Sequence, residues 1–324
     1  MAASTAALLA GLVMLIVGAD LVVRQGTALA RRFGVSPLVV GMTVVSLGTS
    51  LPELAIGINA AQQGNAGLAV GNIVGTNLVN VLLILGLSAL MRPVAFEPRT
   101  LRFDLPVMAG AAVLLFVLAR DGTLTNADGV WLCAYGVGYL GLVIAHARRE
   151  SDRPPAATTS TTTSATAARS RPVALQVVLL VAGLAVIVVG SEFLVDGAVR
   201  MARIWGASDT VIGLTVVAIG TSAPELVTTI VATVRGGDRS LALGNLLGSS
   251  VFNIALILGP TILAAPGTVP VPDDVLALDL VLMVATALVC VPAFFTRREL
   301  SRWEGGAFVA TYVLYTTWLL TLRL

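Results

Sequence analysis

The sequence predicts an all-α integral membrane protein with ten transmembrane helices arranged as two inverted five-helix repeats. Three observations support this fold class: an apolar composition, a duplicated motif and a biased distribution of arginine. Of the 324 residues, 56% are hydrophobic and 12% are charged, and the mean hydropathy is +0.92. Because soluble domains carry about 25% charged residues, this composition indicates a chain that resides in the bilayer.

Charged or Gly/Pro-rich interruptions divide the chain into ten segments that are long enough to cross the hydrocarbon core as helices. We place these spans, to within a few residues, at 5–23, 36–61, 68–90, 103–119, 127–147, 173–195, 208–234, 241–264, 275–295 and 304–322. The first apolar segment has no basic stretch before it, so we expect a retained span and not a cleaved signal peptide.

The arginines predict the orientation of the spans. All 20 basic residues are arginine, and most of them follow spans 1, 3, 5, 7 and 9. The positive-inside rule therefore assigns those loops to the cytoplasm and both termini to the extracytoplasmic side of the plasma (inner) membrane. The net charge of +2 thus reflects membrane topology, and no nucleic-acid partner is expected.

The two halves of the chain repeat each other. "GMTVVSLGTSLPEL" (41–54) recurs as "GLTVVAIGTSAPEL" (213–226), and "LAVGNIVGTNLVNVLLILG" (68–86) recurs as "LALGNLLGSSVFNIALILG" (241–259). Each half carries five spans, and because five is odd, equivalent helices must cross the membrane in opposite directions. We therefore predict a first repeat at 1–149, a disordered cytoplasmic linker rich in Pro, Ser and Thr at 150–172, and an inverted second repeat at 173–324.

A glutamate lies in the middle of an apolar stretch in each repeat. A carboxylate at that depth costs about 2.5 kcal/mol or more, so it marks a functional site by default. Pro52 lacks an amide hydrogen and leaves the Gly48 carbonyl without its helical partner, while Thr49 and Ser50 share a helix face with Glu53. The second repeat presents the same groups on the oppositely running helix: Pro224, Gly220, Thr221, Ser222 and Glu225.

Spans 3 and 8 add a second set of oxygen ligands. Side-chain oxygens recur every four residues, which places them in a stripe along one helix face; the stripes are Asn72, Thr76 and Asn80, and Asn245, Ser249 and Asn253. These groups either bind a ligand or form hydrogen bonds between helices. With two carboxylates, the set makes a flexible all-oxygen site of formal charge −2, which suits Ca²⁺ or several Na⁺ ions in mutual exclusion. Such exclusion is the minimum chemistry of an antiporter.

The paired "GTSLPE" and "GTSAPE", each followed by "GNIVGTNLVN" or "GNLLGSSVFN", resemble the two alpha-repeats of the calcium/cation antiporter superfamily, in particular its sodium/calcium exchanger branch. The resemblance implies exchange of Na⁺ for Ca²⁺ by alternating access, with spans 1 and 6 sliding across a core of spans 2, 3, 7 and 8. It also implies a set of ligands: Glu53, Glu225, Thr49, Ser50, Thr221, Ser222, Thr76, Ser249, Asn80 and Asn253, with the carbonyls of Ser46 and Ala218.

Two departures from relatives bear on the coupling ion and on regulation. Some members carry Asp where Asn253 stands, and the potassium-dependent branch uses that acid, so Asn80 and Asn253 favour a K⁺-independent exchanger. The linker of about 22 residues leaves no room for the large regulatory domain of animal exchangers. Coupling to protons stays open because Glu53 or Glu225 could titrate when buried.

Other classes of protein fit the sequence less well. A cation channel would require rings of acidic residues and a continuous pore. An intramembrane enzyme would require a nucleophile with a base, or a metal centre, and neither the single His146 nor the two cysteines, Cys133 and Cys290, supply one. We therefore expect no enzymatic activity, no cofactor and no obligate protein partner, with Ca²⁺, Na⁺ and the lipid bilayer as the interacting species.

Overall fold

The computed structural model describes residues 2–64, 66–151, 172–206, 218–234 and 239–322. Nearly all of the predicted linker and the first part of the seventh predicted span lie outside these residues. Within them the protein is almost entirely helical, as expected for a chain whose backbone polar groups must be satisfied within the bilayer.

Helices occupy the ten predicted spans in the described part of the chain. Eight are continuous: α1 (Ala2–Arg32), α3 (Gly67–Met91), α4 (Thr100–Ala119), α5 (Asn126–Ser151), α6 (Val173–Ile204), α8 (Ser240–Ala264), α9 (Val275–Asp279 running directly into Leu280–Arg297) and α10 (Arg302–Leu322). Two are interrupted by one residue: α2 (Pro37–Thr49 and Leu51–Gln62) and α7 (Ala218–Thr221 and Ala223–Val234). Six of the ten helices are long and apolar enough to cross a membrane alone, and the bent α2 makes a seventh.

Two of the predicted spans are shorter than the observed helices. Helix α1 continues to Arg32 and α6 to Ile204, both about nine residues past the predicted ends. At 1.5 Å per residue, 31 or 32 residues extend about 47 Å, whereas the hydrocarbon core is about 30 Å thick. The extra turns carry the charged residues that ended the apolar segments, so hydropathy located the membrane-spanning part but not the helix ends.

Helices α1 and α6 pack against each other in an antiparallel arrangement along most of their length. Glycines make the close approach possible: a methyl group on Gly11 would lie 2.6 Å from the Gly190 carbonyl oxygen, and one on Gly18 would lie 2.9 Å from that of Gly183. The contacts run in opposite directions along the two helices, as equivalent helices of an inverted repeat must.

The inverted symmetry extends to individual side chains. In the turn before α5, Thr125 donates its backbone and hydroxyl hydrogens to Asp128, and before α10 Ser301 does the same to Glu304. Four two-residue strands pair in the same symmetric way: β1 (Val94–Ala95) with β4 (Glu299–Leu300), and β2 (Thr123–Leu124) with β3 (Val269–Pro270). These capping contacts define where the last helix of each repeat begins.

A similar correspondence links α4 to α9. Asp279, at the start of α9, accepts a hydrogen bond of 3.0 Å from the Tyr315 hydroxyl of α10. In the first repeat Asp104 and Tyr139 hold the equivalent positions, and both are buried. Neither of these intramembrane carboxyl groups lies in the duplicated motifs, so the sequence offered no reason to single them out.

The first part of α2 runs parallel to α8 in close contact. A methyl group on Gly244 would lie 2.1 Å from the Leu38 carbonyl oxygen, and one on Gly248 would lie 2.8 Å from that of Met42. Glycine is thus required for the backbones to approach here, and this contact fixes the height of the broken part of α2 relative to the polar stripe of α8.

Candidate cation-binding site

Helix α2 breaks at Ser50, three residues before the first buried glutamate. Ser50 has φ −87° and ψ 3°, outside helical geometry, and the helix resumes at Leu51 with Pro52 in its first turn. The two pieces meet at an angle of 41°. Pro52, which has no amide hydrogen, predicted that the helix would be disturbed here, and the structure shows the helix interrupted at Ser50. In the second repeat α7 is interrupted at Ser222, the equivalent position.

Both glutamates lie at the start of the second piece of their helix and are fully buried. Glu53 and Glu225 have no exposed surface, and their carboxylates are close enough to repel each other. Ser249 of α8 donates a 3.1 Å hydrogen bond to Glu225 Oε1. The structure therefore brings carboxylates from both repeats, and a hydroxyl from the predicted stripe, into one buried region.

Hydroxyl groups of α2 connect this region to α8. The Thr49 hydroxyl lies 3.0 Å from Asn245 Oδ1 and also approaches Glu225. The Ser46 hydroxyl lies 2.8 Å from the Asn245 carbonyl oxygen. Each hydroxyl has one hydrogen to donate, so its oxygen lone pairs remain available to a ligand.

Many polar atoms of the two glutamate-bearing helices and of the two stripes are buried and have no hydrogen-bond partner among the described residues. The oxygens are Ser50 Oγ, both oxygens of Glu53, Thr76 Oγ1, Asn80 Oδ1, Ser222 Oγ, Glu225 Oε2, Thr229 Oγ1 and Asn253 Oδ1. Native proteins leave only a few buried polar groups unsatisfied per 100 residues, and each such group costs about 1–3 kcal/mol. A concentration of these groups in one place is the pattern expected of a site shaped for an ion.

The chemistry of these groups fits a hard cation. The donors are carboxylate, hydroxyl and amide oxygens, and Ca²⁺ takes six to eight such ligands in irregular geometry. Within the described residues, no three His, Cys, Asp or Glu side chains come together. The two glutamates thus supply the formal charge, and neutral oxygens supply the remaining ligands.

The remaining predicted ligands differ in burial and in whether their oxygens already accept hydrogen bonds. The carbonyl of Ser46 accepts a 3.0 Å hydrogen bond from the Ser50 amide, so one of its two lone pairs is already used. Thr221 is also buried. Ala218 starts the described part of α7, and its side chain lies outside the residues for which burial is described.

Two polar residues flank the stripes and form hydrogen bonds within their own helices. Asn77 and Ser250 donate hydrogen bonds to carbonyls of α3 and α8, at 2.9 and 3.0 Å. They line a small cavity of about 10 Å³ between α3, α4, α8 and α9. This volume is about that of one water molecule.

The stripe helices contain π-helical turns where their last polar residues lie. Val79–Leu85 of α3 includes Asn80, and Asn253–Leu258 of α8 begins at Asn253. A π turn shifts the hydrogen-bond pattern from i→i−4 to i→i−5 and is frequent at functional sites. The sequence carried no signal for these turns.

Comparison with known proteins identifies the family. The family model described as sodium/calcium exchanger protein matches residues 3–145 and 175–321. The sodium/calcium exchanger MaX1 of Methanosarcina acetivorans is 36% identical over 95% of this chain and 96% of its own length. The inner membrane protein YrbG of Escherichia coli is 39% identical over 82% of this chain and 81% of its own.

A solved structure shows the same fold. The sodium/calcium exchanger from Methanococcus jannaschii aligns with a TM-score of 0.81 and 29% identity, covering 97% of this chain and 98% of its own. These similarities point to the same family as the inverted five-helix repeats and the broken glutamate-bearing helices. This chain is a multi-pass membrane protein of the sodium/calcium exchanger family, whose members are cation/Ca²⁺ antiporters.

Proposed function

We propose that the protein exchanges Na⁺ for Ca²⁺ by alternating access, with both ions using the buried site between the two repeats. The observation that carries this proposal is the group of unpartnered oxygens around Glu53 and Glu225, both fully buried. Two buried carboxylates that repel each other are costly unless a cation neutralises them. The site is therefore suited to cross the membrane loaded, which is the requirement for obligatory exchange.

Charge explains why Na⁺ and Ca²⁺ would exclude each other. One Ca²⁺ neutralises the formal charge of −2, and several Na⁺ ions can occupy the same oxygens. When Na⁺ fills these positions, the carboxylates are already engaged and Ca²⁺ has no anionic ligand. We assign Glu53 and Glu225 to both ions, and Thr49, Ser50, Thr76, Ser222, Ser249 and their repeat equivalents to positions that complete either coordination shell.

The asparagines bear on the choice of coupling ion. Asn80 and Asn253 are fully buried with unpartnered amide groups, so they offer neutral oxygens and no further negative charge. A site with only two carboxylates supports K⁺-independent exchange. The proposal includes no bound cofactor and no obligate protein partner.

Orientation in the membrane follows from the arginine-rich loops. Arg239, which follows α7, donates a 3.0 Å hydrogen bond to the Arg92 carbonyl oxygen and a second bond to that of Pro93, both after α3. These contacts join two loops that the positive-inside rule assigns to the cytoplasm. We infer a location in the plasma membrane with both termini outside.

Radioactive Ca²⁺ uptake into proteoliposomes tests the coupling ion. Vesicles loaded with Na⁺ and diluted into Na⁺-free medium should accumulate Ca²⁺, whereas vesicles loaded with K⁺ should not. A pH gradient imposed without Na⁺ serves as the second control. Uptake driven only by that gradient would contradict Na⁺ coupling and indicate proton coupling, and uptake without any counter-ion gradient would indicate a channel.

A further inference from the structure

The two glutamate-bearing helices differ beyond the shared motif. Four and eight residues after Glu53, α2 carries Gly57 and Ala61, whereas four and eight residues after Glu225, α7 carries Thr229 and Thr233. These positions lie on the same helix face as the glutamate and drift slowly around it. One half of the bundle therefore continues the polar face beyond the cation site, and the other half does not.

The threonines of α7 contact each other and a serine of α3. Thr229 is 1% exposed, and its hydroxyl has no partner among the described residues. Thr233 donates a 2.8 Å hydrogen bond to the Thr229 carbonyl oxygen. The Ser88 hydroxyl lies 2.9 Å from that of Thr233, and because the Thr233 hydrogen is already used, Ser88 is the donor.

The equivalent half of the bundle is closely packed, and its hydroxyl group is already bonded within its own helix. A methyl group on Gly57 would lie 2.6 Å from the Thr261 hydroxyl oxygen, so no side chain fits between α2 and α8. Thr261, the counterpart of Ser88, donates its hydrogen to the Ile257 carbonyl oxygen of its own helix. Ala61 is fully buried and offers no oxygen.

We propose that Thr229, Thr233 and Ser88 form a hydroxyl path along which the cation moves between Glu225 and the end of the bundle where Arg239 contacts Arg92. A cation leaving the site must exchange its ligands for others in steps, and hydroxyls one helical turn apart, about 6 Å, supply them. The unpartnered Thr229 oxygen is the first step beyond the carboxylate. The inference rests on the proposed function, since it assigns a route to the same ions.

The path predicts an effect on one membrane face only. The Thr229→Val variant keeps the shape of the side chain and removes the oxygen. Everted membrane vesicles expose the cytoplasmic face, and right-side-out vesicles expose the other. We expect the variant to raise the KM for Ca²⁺ about tenfold at the cytoplasmic face, the factor given by about 1.4 kcal/mol of lost stabilisation, with KM unchanged at the opposite face.

Two other variants give a matched control and a rescue. Thr228 is also fully buried, but its hydroxyl donates a 2.7 Å bond to the Pro224 carbonyl oxygen of its own helix, so Thr228→Val should leave KM at both faces unchanged. Thr229→Ser restores the oxygen and should return KM toward the wild-type value. Ser88→Ala, a small change at the far end of the path, should raise KM at the cytoplasmic face even if Thr229→Val does not fold.

The outcomes separate this inference from the proposed function. Equal KM values for Thr229→Val and Thr228→Val, or an equal rise at both faces, would overturn the path while Na⁺-dependent uptake by the wild type still stands. Unchanged KM in Ser88→Ala would likewise exclude Ser88 from it. Wild-type vesicles without Na⁺-dependent uptake would overturn the proposed function and the path together.

Discussion

Replacing Glu53 by glutamine removes one of the two charges that hold the cation and keeps the shape of the side chain. At an effective dielectric constant of about 20, two unit charges 4 Å apart interact by about 4 kcal/mol, so Ca²⁺ loses about 8 kcal/mol of direct attraction and Na⁺ about half. The amide oxygen remains a ligand and the repulsion from Glu225 disappears, so the net loss is smaller. Removing one partner of a buried ion pair costs about 3–5 kcal/mol, which is about two to four orders of magnitude in Kd.

Thermal unfolding of the purified protein in detergent measures this loss apart from transport. Wild-type protein should melt at a higher temperature as Ca²⁺ is added, because the ion binds only the folded state. In Glu53→Gln the Ca²⁺-dependent shift should vanish at the same concentrations, and the ion-free protein should be more stable than wild type because two buried carboxylates no longer repel each other.

An exposed carboxylate of the second repeat supplies the control. Glu192 lies on the surface of α6, so Glu192→Gln makes the same chemical change away from the site. It should retain the full Ca²⁺-dependent shift and the uptake activity. A Glu53→Gln protein that is stabilised by Ca²⁺ as strongly as wild type, or that transports at the wild-type rate, would refute the assignment of Glu53 as a ligand.

Three further predictions concern packing and the periphery. Gly244→Ala should lower the yield of folded protein and its melting temperature, because its methyl group would meet a carbonyl of α2 at 2.1 Å, while Gly138→Ala, where nothing lies within 4 Å, should not. Tyr315→Phe should reduce the free energy of unfolding by about 1–3 kcal/mol because the buried Asp279 carboxyl group loses the hydrogen bond from the Tyr315 hydroxyl, and an unchanged melting curve would contradict this. Asp20 of α1 forms an ion pair of 2.8 Å with Arg24 one turn further along the same helix, and ion pairs near the surface contribute about 0–1 kcal/mol. Asp20→Asn should therefore leave Na⁺-dependent Ca²⁺ uptake within about twofold of wild type, and loss of uptake would contradict this.

The fold could be predicted because its motifs are duplicated in the sequence, and the same motifs supplied the residues of the candidate site. Duplication of the glutamate motif predicted the inverted repeat, and the proline one residue before each glutamate predicted the interruption that the structure contains at Ser50 and Ser222. Both signals are local: a proline inside a helix lacks an amide hydrogen and crowds the carbonyl group four residues before it.

The remaining features depend on contacts between segments far apart in the chain. The π-helical turns at Asn80 and Asn253 have no signature in the sequence. In the sequence Thr229 cannot be distinguished from its neighbour Thr228. Only the structure shows that the Thr228 hydroxyl is hydrogen-bonded whereas the Thr229 hydroxyl has no partner among the described residues. The contact of Thr49 with Asn245 likewise requires α2 and α8 to meet.

Simultaneous measurement of Na⁺ efflux and Ca²⁺ uptake in the same proteoliposomes tests the central claim most directly. If both ions use one site in mutual exclusion, each flux should require the other, with a fixed ratio across the range of gradients, and Glu225→Gln should abolish both together. Ca²⁺ uptake that continues after Na⁺ efflux stops, or a ratio that varies with the gradient, would contradict a single shared site.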